Sequence, residues 1–432
     1  MSMFAGGSGL TLDEPVGPLD PTLPTHAEGS LLRRYGPLVP VSLPGGVRTW
    51  AATTHEASRI VLEHHPHLVK SPAYWGALQR GELPDGWPLL PFIVGESMLF
   101  ADGADHRRLR RAVIPAFTPR RVAALAPRIE LLTRELLDEL SVAADSAPDA
   151  TVDLKERFAY PLALRIICEL FGITGEERQI SLRDHYANML DLAASDTERH
   201  AAALGLHEDL RLLVAAKRVA PGDDLTSDLV RTTDGIGMGE GGTDQPGGSK
   251  GDDRLTEKEL IDTLQLVLIA GHETVLNALT NTVHALLTHP DQLDLLREGE
   301  HDWAAALEAG LVWDGPLRNL YMRFAVQDTE ILGTTVRKGE PVIVLLAASD
   351  RHGTAGPEAG FDITRSHRGH LAFGAGPHFC IGAPLARLEG SIALRELFRR
   401  HPRLSLGVSP EELEYVVSPA VNGVTALPVR LG

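Results

Sequence analysis

At 432 residues the chain is about three times the ~150 residues that serve as a soft per-domain prior, so one to three domains and a large core are open to it. Its 41 Lys and Arg against 58 Asp and Glu leave a net charge of −17, which disfavours general nucleic-acid binding, because phosphates reward clustered positive charge. Two cysteines, Cys168 and Cys380, cannot build a disulfide framework and suit a reducing compartment, which leaves either one available as a working thiol. The uncharged, apolar-rich run at residues 264–271 falls well short of the ~18 residues that suggest a membrane span, as does every other run in the sequence. The N-terminus also lacks the basic region and apolar segment of a secretory signal. The expectation is a cytoplasmic protein with no membrane and no nucleic acid among its partners.

In chain order, residues 1–30 carry Pro15, Pro18, Pro21 and Pro24, a density that blocks continued helix or central strand and predicts an irregular arm. A strand is expected at 47–52 and helical patterns at 121–144, 154–171 and 184–219, with further strand-like sequence at 335–347 and near the C-terminus. This is mainly α with minor β, and the strands do not alternate with helices as a doubly wound sheet requires. Residues 232–253 hold eight glycines in 22 positions and little that could be buried, which reads as a flexible surface insertion.

Residues 255–289 form the longest helical pattern. Thr256 followed by Glu259 makes a capping-box start, and His289 before Pro290 makes a stop. At 1.5 Å per residue such a helix spans roughly 45 to 50 Å, so it must run through the core. Its middle nevertheless reads Ala270, Gly271, His272, Glu273, Thr274 and then Asn277. Polar groups inside a core helix are costly unless paired or hydrated. They either cap a neighbour or face a channel, or they open a polar pocket for a small reactive ligand. A zinc-protease reading of HExxH fails, because Leu276 stands where the second histidine would be.

Residues 371–389 carry the second signal, LAFGAGPHFCIGAPLARLE. Gly374 and Gly376 precede Cys380, Gly382 follows it, and a helix pattern starts at Pro384, a residue suited to a first helical turn. A cysteine just ahead of a helix N-terminus has its thiolate favoured, as nucleophile or as metal ligand. A nucleophile needs a general base within reach, and His378, two residues away, is too close in sequence to supply that geometry easily. A nucleotide loop fails because Phe379 replaces the third glycine. Ligation is the better reading.

FGAGPHFCIG resembles, residue for residue, the FGxGxHxCxG signature of the cytochrome P-450 family, and AGHET resembles that family's AGxET segment on its central helix. Together, in this order and at this distance, they are specific. The resemblance implies the P-450 fold as a single haem domain over 31–432, with haem b (iron protoporphyrin IX) held by Cys380 as axial thiolate. Phe373 and Gly374 would lie beside the sulfur, with Gly382 behind it. Ala270 and Gly271 would lie against the haem's oxygen side, and Thr274 and Glu273 would deliver protons to dioxygen. His106 and Arg110 in DGADHRRLRRAVIPAFTPRRV, with Arg323 and His378, would hold the haem propionates. PGDDLTSDLV at 221–230 and GFDITR at 360–365 extend the likeness.

By the same resemblance the protein is a monooxygenase that inserts one oxygen atom of O2 into a lipophilic substrate, with electrons from a ferredoxin and its reductase. Secondary metabolism is the expected setting. Residues 71–99, with Trp75 and Trp87, and 184–219 occupy the family's substrate-access positions, although any one aromatic there can equally be packing. Seven arginines and no acid between His106 and Arg128, with Arg387, Arg395 and Arg399, would offer an acidic ferredoxin a basic patch. His272 reads as satisfied by a neighbour, and His64, His65 and His67 as surface.

One family feature is missing. Members carry E-x-x-R ahead of a string like RWDGP, whereas ALEAGLVWDGP at 306–316 puts Ala309 and Val312 at the two positions, or Glu308 and Leu311 after a shift by one. Replacing both members of a buried pair by apolar groups can be neutral. Arg365 would then need another partner. Two alternatives stay open, a haem-thiolate protein that uses peroxide or rearranges its substrate, which the Glu273/Thr274 pair disfavours, and, because of the missing pair, a non-catalytic haem-binding or partner protein.

Overall fold

The computed structural model describes residues 10–63, 65–87, 89–147, 149–173, 175–190, 195–235, 254–355 and 360–432. They are mainly helical with a minor sheet, and they form two compact units. One takes in Met1–Gly95, Ala126–Tyr160 and Glu273–Gly432, the other Glu96–Leu125 and Pro161–His272.

The first unit is built on a five-stranded sheet with strands in the order Leu38–Leu43, Val47–Ala52, Pro341–Val344, Leu320–Ala325 and Leu68–Val69. The first two form a hairpin with Leu38 opposite Ala52, closed through Gly45 and Gly46 at φ 79° and 75°. The sheet's alternation sorts side chains to its faces. Met322 and Phe324 join one core with Trp75 and Trp87, and Ala325 joins another with Leu62 and Leu371. Arg323, between Met322 and Phe324, is thereby delivered to the face that carries Leu62. Trp75 stacks on Phe324 at 5.4 Å between ring centroids and lies 5.7 Å from Trp87, so both tryptophans are packing residues.

The arm ends before residue 30, because helix Thr25–Arg33 follows Pro24 directly. Proline's fixed φ suits it to the start of a helix. Glu28, on the first turn, pairs with Arg318 at 2.9 Å and accepts from the Asp20 amide at 2.6 Å. The expected strand 335–347 is two short strands, Thr334–Val336 and Pro341–Val344, and helix Leu346–Ala355 begins inside its range. Strand Leu320–Ala325 starts three residues before Arg323. Helix Ala126–Ser146 packs on helix Ala383–Arg400, which packs in turn on Trp303–Trp313. A three-stranded sheet joins Thr151–Asp153 and Ser405–Leu406 to Pro428–Arg430.

The second unit is helical. Residues 102–122 are helix Gly103–Val113, a short turn at Ile114–Phe117 and helix Pro119–Ala124, the breaks falling at Pro115 and Pro119. The pattern at 184–219 divides into Glu176–Leu190 and Asp196–Val219, the second opened by a Ser195–Glu198 capping box. Buried Leu206, Leu210, Leu213 and Val214 form a stripe of helical spacing on the latter. Most of the expected insertion, 236–253, lies outside the described residues, as do 1–9 and His64. The long helix, Glu257–Thr288, begins as its sequence predicts: the Glu259 amide donates to Thr256 Oγ1 at 3.1 Å and the Thr256 amide to Glu259 Oε2 at 2.8 Å. No helix among the described residues is long and apolar enough to cross a membrane.

Candidate active site

Cys380 sits half-buried at the end of a glycine turn. Gly374 and Gly376 adopt φ 71° and 69°, a left-handed conformation that disfavours side chains. A Cβ at Gly376 would also meet Leu62 O at 2.6 Å. The turn closes on itself, with the Gly374 amide donating to Leu371 O at 2.6 Å and the Cys380 amide to Phe373 O at 2.8 Å. Helix Ala383–Arg400 then starts with Pro384 in its first turn. Phe373, Gly374, His378 and Gly382 are therefore gathered in the one turn that presents the cysteine. Cys168 lies inside helix Tyr160–Phe171 at 1% exposure, and burial, with the nearby Glu169 charge, pushes its thiol up to about 12. Of the two cysteines, Cys380 has the accessible setting.

Mid-length, the long helix shows an open face between buried turns. Leu268 and Leu276 are buried, while Ala270 is exposed and Gly271, Glu273 and Thr274 are half-buried. In the second unit Gly271 has a packing reason of its own, since a Cβ there would meet Ile167 Cδ1 at 2.6 Å. His272, fully buried, meets Tyr186 Oη at 3.2 Å with the rings edge to face, as a structural histidine should.

In the first unit Asn277 Nδ2 donates to Glu273 O at 2.8 Å and reaches Glu273 Oε2 at 3.4 Å. Lys155 Nζ donates to Asn277 Oδ1 at 3.0 Å and to Val424 O at 2.6 Å. Burial lowers the Lys155 ammonium's pKa, against the raising pull of Glu273 and Asp153. Lys155 opens a π-helical turn, Lys155–Ala159, a distortion that often marks functional positions. A Cβ at Gly423 would collide with the Asn277 amide, so the C-terminal segment approaches the long helix closely only because that residue is glycine.

The expected propionate-binding residues are divided between the units. Arg323, 8% exposed, reaches Leu62 O at 3.4 Å, and His378 lies in the turn Gly376–His378. His106, 4% exposed, and half-buried Arg110 share helix Gly103–Val113 in the second unit. The donor set suits a haem. Among the described residues no group of three or more His, Cys, Asp or Glu could hold a metal ion, and the half-buried Cys380 thiol is a donor of the kind a haem iron takes. Buried cationic side chains suit a haem's carboxylates.

The E-x-x-R region departs from the sequence reading. Ala309 and Val312 are buried at 1% and 2%, but the acid is retained one position earlier. Glu308 takes Arg387 Nε at 2.6 Å, Arg387 Nη2 at 3.2 Å and His370 Nε2 at 2.9 Å. Burial raises its pKa, but the bonds and charges of His370 and Arg387 outweigh this and hold the carboxyl at about 2. Beside it, Asp350 accepts the Leu371 amide at 2.6 and 2.7 Å and is pushed up by burial to about 7. Arg365 has the partner it needed, Asp362, at 2.9 Å.

The basic patch is also less bare than its sequence. Arg108 forks onto Glu259 at 2.5 and 3.1 Å, and Arg121 pairs with Asp223 and Asp228. Arg395 and Arg399 meet Glu130 and Glu396, with Arg395 to Glu130 at 2.8 Å and Arg399 to Glu396 at 2.6 Å. His370, Asp350 and Lys155 were functional candidates the sequence did not single out, and Glu308 stood there only as half of a shifted pair with Leu311, because each gains its meaning from residues distant in the chain.

A cysteine-presenting glycine turn and, elsewhere in the chain, a long helix with a polar centre are the two marks of a haem-thiolate class of protein, and comparison with known proteins agrees. A family model described as Cytochrome P450 matches residues 316–404. The chain is 37% identical to 2-hydroxy-5-methyl-1-naphthoate 7-hydroxylase of Streptomyces carzinostaticus, over 94% of this chain and 95% of that one. It is 38% identical to cytochrome P450 monooxygenase PikC of Streptomyces venezuelae, over 94% and 90%. The solved structure of CYP154A1 from Streptomyces coelicolor superposes with a TM-score of 0.83 at 38% identity, covering 96% of this chain and all of the other. The protein belongs to the cytochrome P450 family. It is a monooxygenase with haem b held by a cysteine thiolate, so the reading as a non-catalytic haem-binding protein is set aside.

Proposed function

We propose that the Cys380 thiolate would hold the haem iron and that the enzyme inserts one oxygen atom of O2 into a lipophilic secondary metabolite, with electrons from a ferredoxin and its reductase. The observation that carries this is the turn at Cys380. It presents a half-buried sulfur on a self-bonded loop, while the other thiol is sealed and pushed up to about 12. The haem, when bound, supplies O2 activation, with the thiolate's electron push favouring O–O cleavage.

This chain's residues do the remainder. Arg323, His378, His106 and Arg110 would hold the haem carboxylates. Phe373 shields the sulfur, and Gly374 and Gly382 let backbone approach it. Ala270 and Gly271 keep the long helix small where the ligand lies. Thr274 Oγ1 and the Glu273 carboxylate move protons, and Asn277, holding Glu273 at its backbone oxygen and at Oε2, orients the acid. The exposed Arg107, Arg111 and Arg120 support an acidic electron donor, steered by local rather than global charge. The naphthoate in one relative's name favours an apolar ring-bearing substrate. A cytoplasmic setting and one haem domain over 31–432 complete the reading.

The test is the absorption spectrum of the dithionite-reduced protein with carbon monoxide, followed by NADPH-driven turnover with surrogate ferredoxin and reductase. A Soret band at the thiolate position and coupled product are expected. A band at the non-thiolate position removes Cys380 from its role, and a correct band without turnover on a broad substrate panel removes the ferredoxin-fed hydroxylation.

A further inference from the structure

The Glu308 carboxylate joins three separate stretches of chain. It stands on helix Trp303–Trp313, while His370 lies ten residues before Cys380 and Arg387 seven residues after it. His370 Nε2 and Arg387 Nη2 are themselves 3.4 Å apart, so carboxylate, imidazole and guanidinium form a triangle. Both shoulders of the cysteine loop are thus drawn onto one acid. Arg387 also lays its guanidinium over the Phe373 ring, Cζ 4.3 Å from the centroid, and Phe373 O takes the Cys380 amide. His370 reaches the same ring, 5.7 Å between centroids. One turn along the Glu308 helix, where an i+3 arginine would stand, Leu311 is 3% exposed and packed in the core.

We propose that Glu308, Arg387 and His370 are a clasp that replaces the missing E-x-x-R pair, with the guanidinium supplied by the helix that follows the cysteine rather than by the helix that carries the acid. The three are positioning residues. They act on the sulfur by closing the neck of its loop, which removes the loop's freedom to open, and by stacking on Phe373. A side-on fork of two charge-assisted bonds is a directional contact that a lysine cannot reproduce. The inference rests on Cys380 being the haem ligand.

The test uses the haem-loaded full chain and its Glu308→Gln, Arg387→Gln and Arg387→Lys variants, with the Glu308→Gln/Arg387→Gln double variant. The quantity read is the rate at which the reduced carbon monoxide complex loses its thiolate-type band under mild warming. Losing one charge-assisted bond should speed this about tenfold or more. Each single glutamine variant should show that loss, the double variant should be no faster than the faster single, and Arg387→Lys should fall between wild type and Arg387→Gln. Wild-type rates in the single variants, or effects that multiply in the double, would overturn the clasp. If the glutamine variants do not load haem, the lysine variant carries the comparison, and a wild-type rate there overturns it. A wild-type protein without a thiolate-type band brings down the Cys380 reading and the clasp with it, whereas a normal wild-type band with indifferent variants removes the clasp alone.

Discussion

Glu308 and Glu273 both lie in the compact unit that carries Cys380, yet they are held in opposite ways. Glu308 is gripped by a guanidinium fork and an imidazole and held at about 2. It stays an anion throughout the neutral range and serves as an anchor. Glu273 meets Lys155 through the amide of Asn277, with the nearer oxygen 3.4 Å from Nδ2. An amide can donate to either state of a carboxyl, so this contact can follow a change of protonation. On the proposed roles, the carboxylate that anchors the loop is tied by charge, and the one that passes protons is oriented by a neutral group.

The largest effect should come from exchanging the two roles' consequences. Glu273→Gln and Thr274→Ala should each lower coupled product formation about 100-fold, the scale of a lost proton-transfer group, while leaving the thiolate-type carbon monoxide band in place. Product formed per O2 consumed measures this, and unchanged coupling would remove the assigned role. Glu308→Gln should do the reverse, disturbing the band before the coupling.

Acid sharpens the contrast next. A carboxyl with its pKa lowered from 4.5 to about 2 contributes stability that is present above pH 4.5 and lost as the pH falls toward 2, at most about 3 kcal/mol. Asp350, raised to about 7, works in the opposite direction, losing stability as the pH rises from about 4 to 7. The informative quantity is therefore the difference in unfolding free energy between wild type and Glu308→Gln. It should shrink between pH 4.5 and 2.5, and a difference independent of pH would contradict the low value.

The smallest effect tests the relayed cation. Lys155→Met leaves Val424 O and Asn277 Oδ1 without their ammonium donor, which should cost about 1–3 kcal/mol of stability. Coupled turnover should fall only a fewfold, an order of magnitude less than for Glu273→Gln. Denaturant unfolding beside the coupling assay checks both.

What the sequence made legible was local. The turn around Cys380 and the Thr256–Glu259 helix start depend on residues within a few positions of one another, and both stand where spacing puts them. Contacts that span the chain were hidden. Glu308 looked unpaired because its partners lie 62 and 79 residues away, and alignment on WDGP moved attention to Ala309. The stretch from His106 to Arg128 contains no acid, yet Glu259 and Asp228 arrive from other helices and Asp223 from the loop before one of them. Trp75 could have lined an access path or filled a core, and only its stacking on Phe324 decides for the core.

Gly423 and Val424 have a consequence in time as well as in space. The oxygen that takes the Lys155 ammonium and the glycine that lets Asn277 lie close both come from the stretch 423–427, whose Leu427 O also takes the Leu154 amide. Synthesis runs from the N-terminus at roughly 5–20 residues per second, so Lys155 and the long helix are made well before residues 423–427 emerge. The surroundings of Glu273 are therefore finished only once residues 423–427 have emerged, and a ribosome-bound chain halted before residue 423 holds the acid and its helix without the backbone that aligns them.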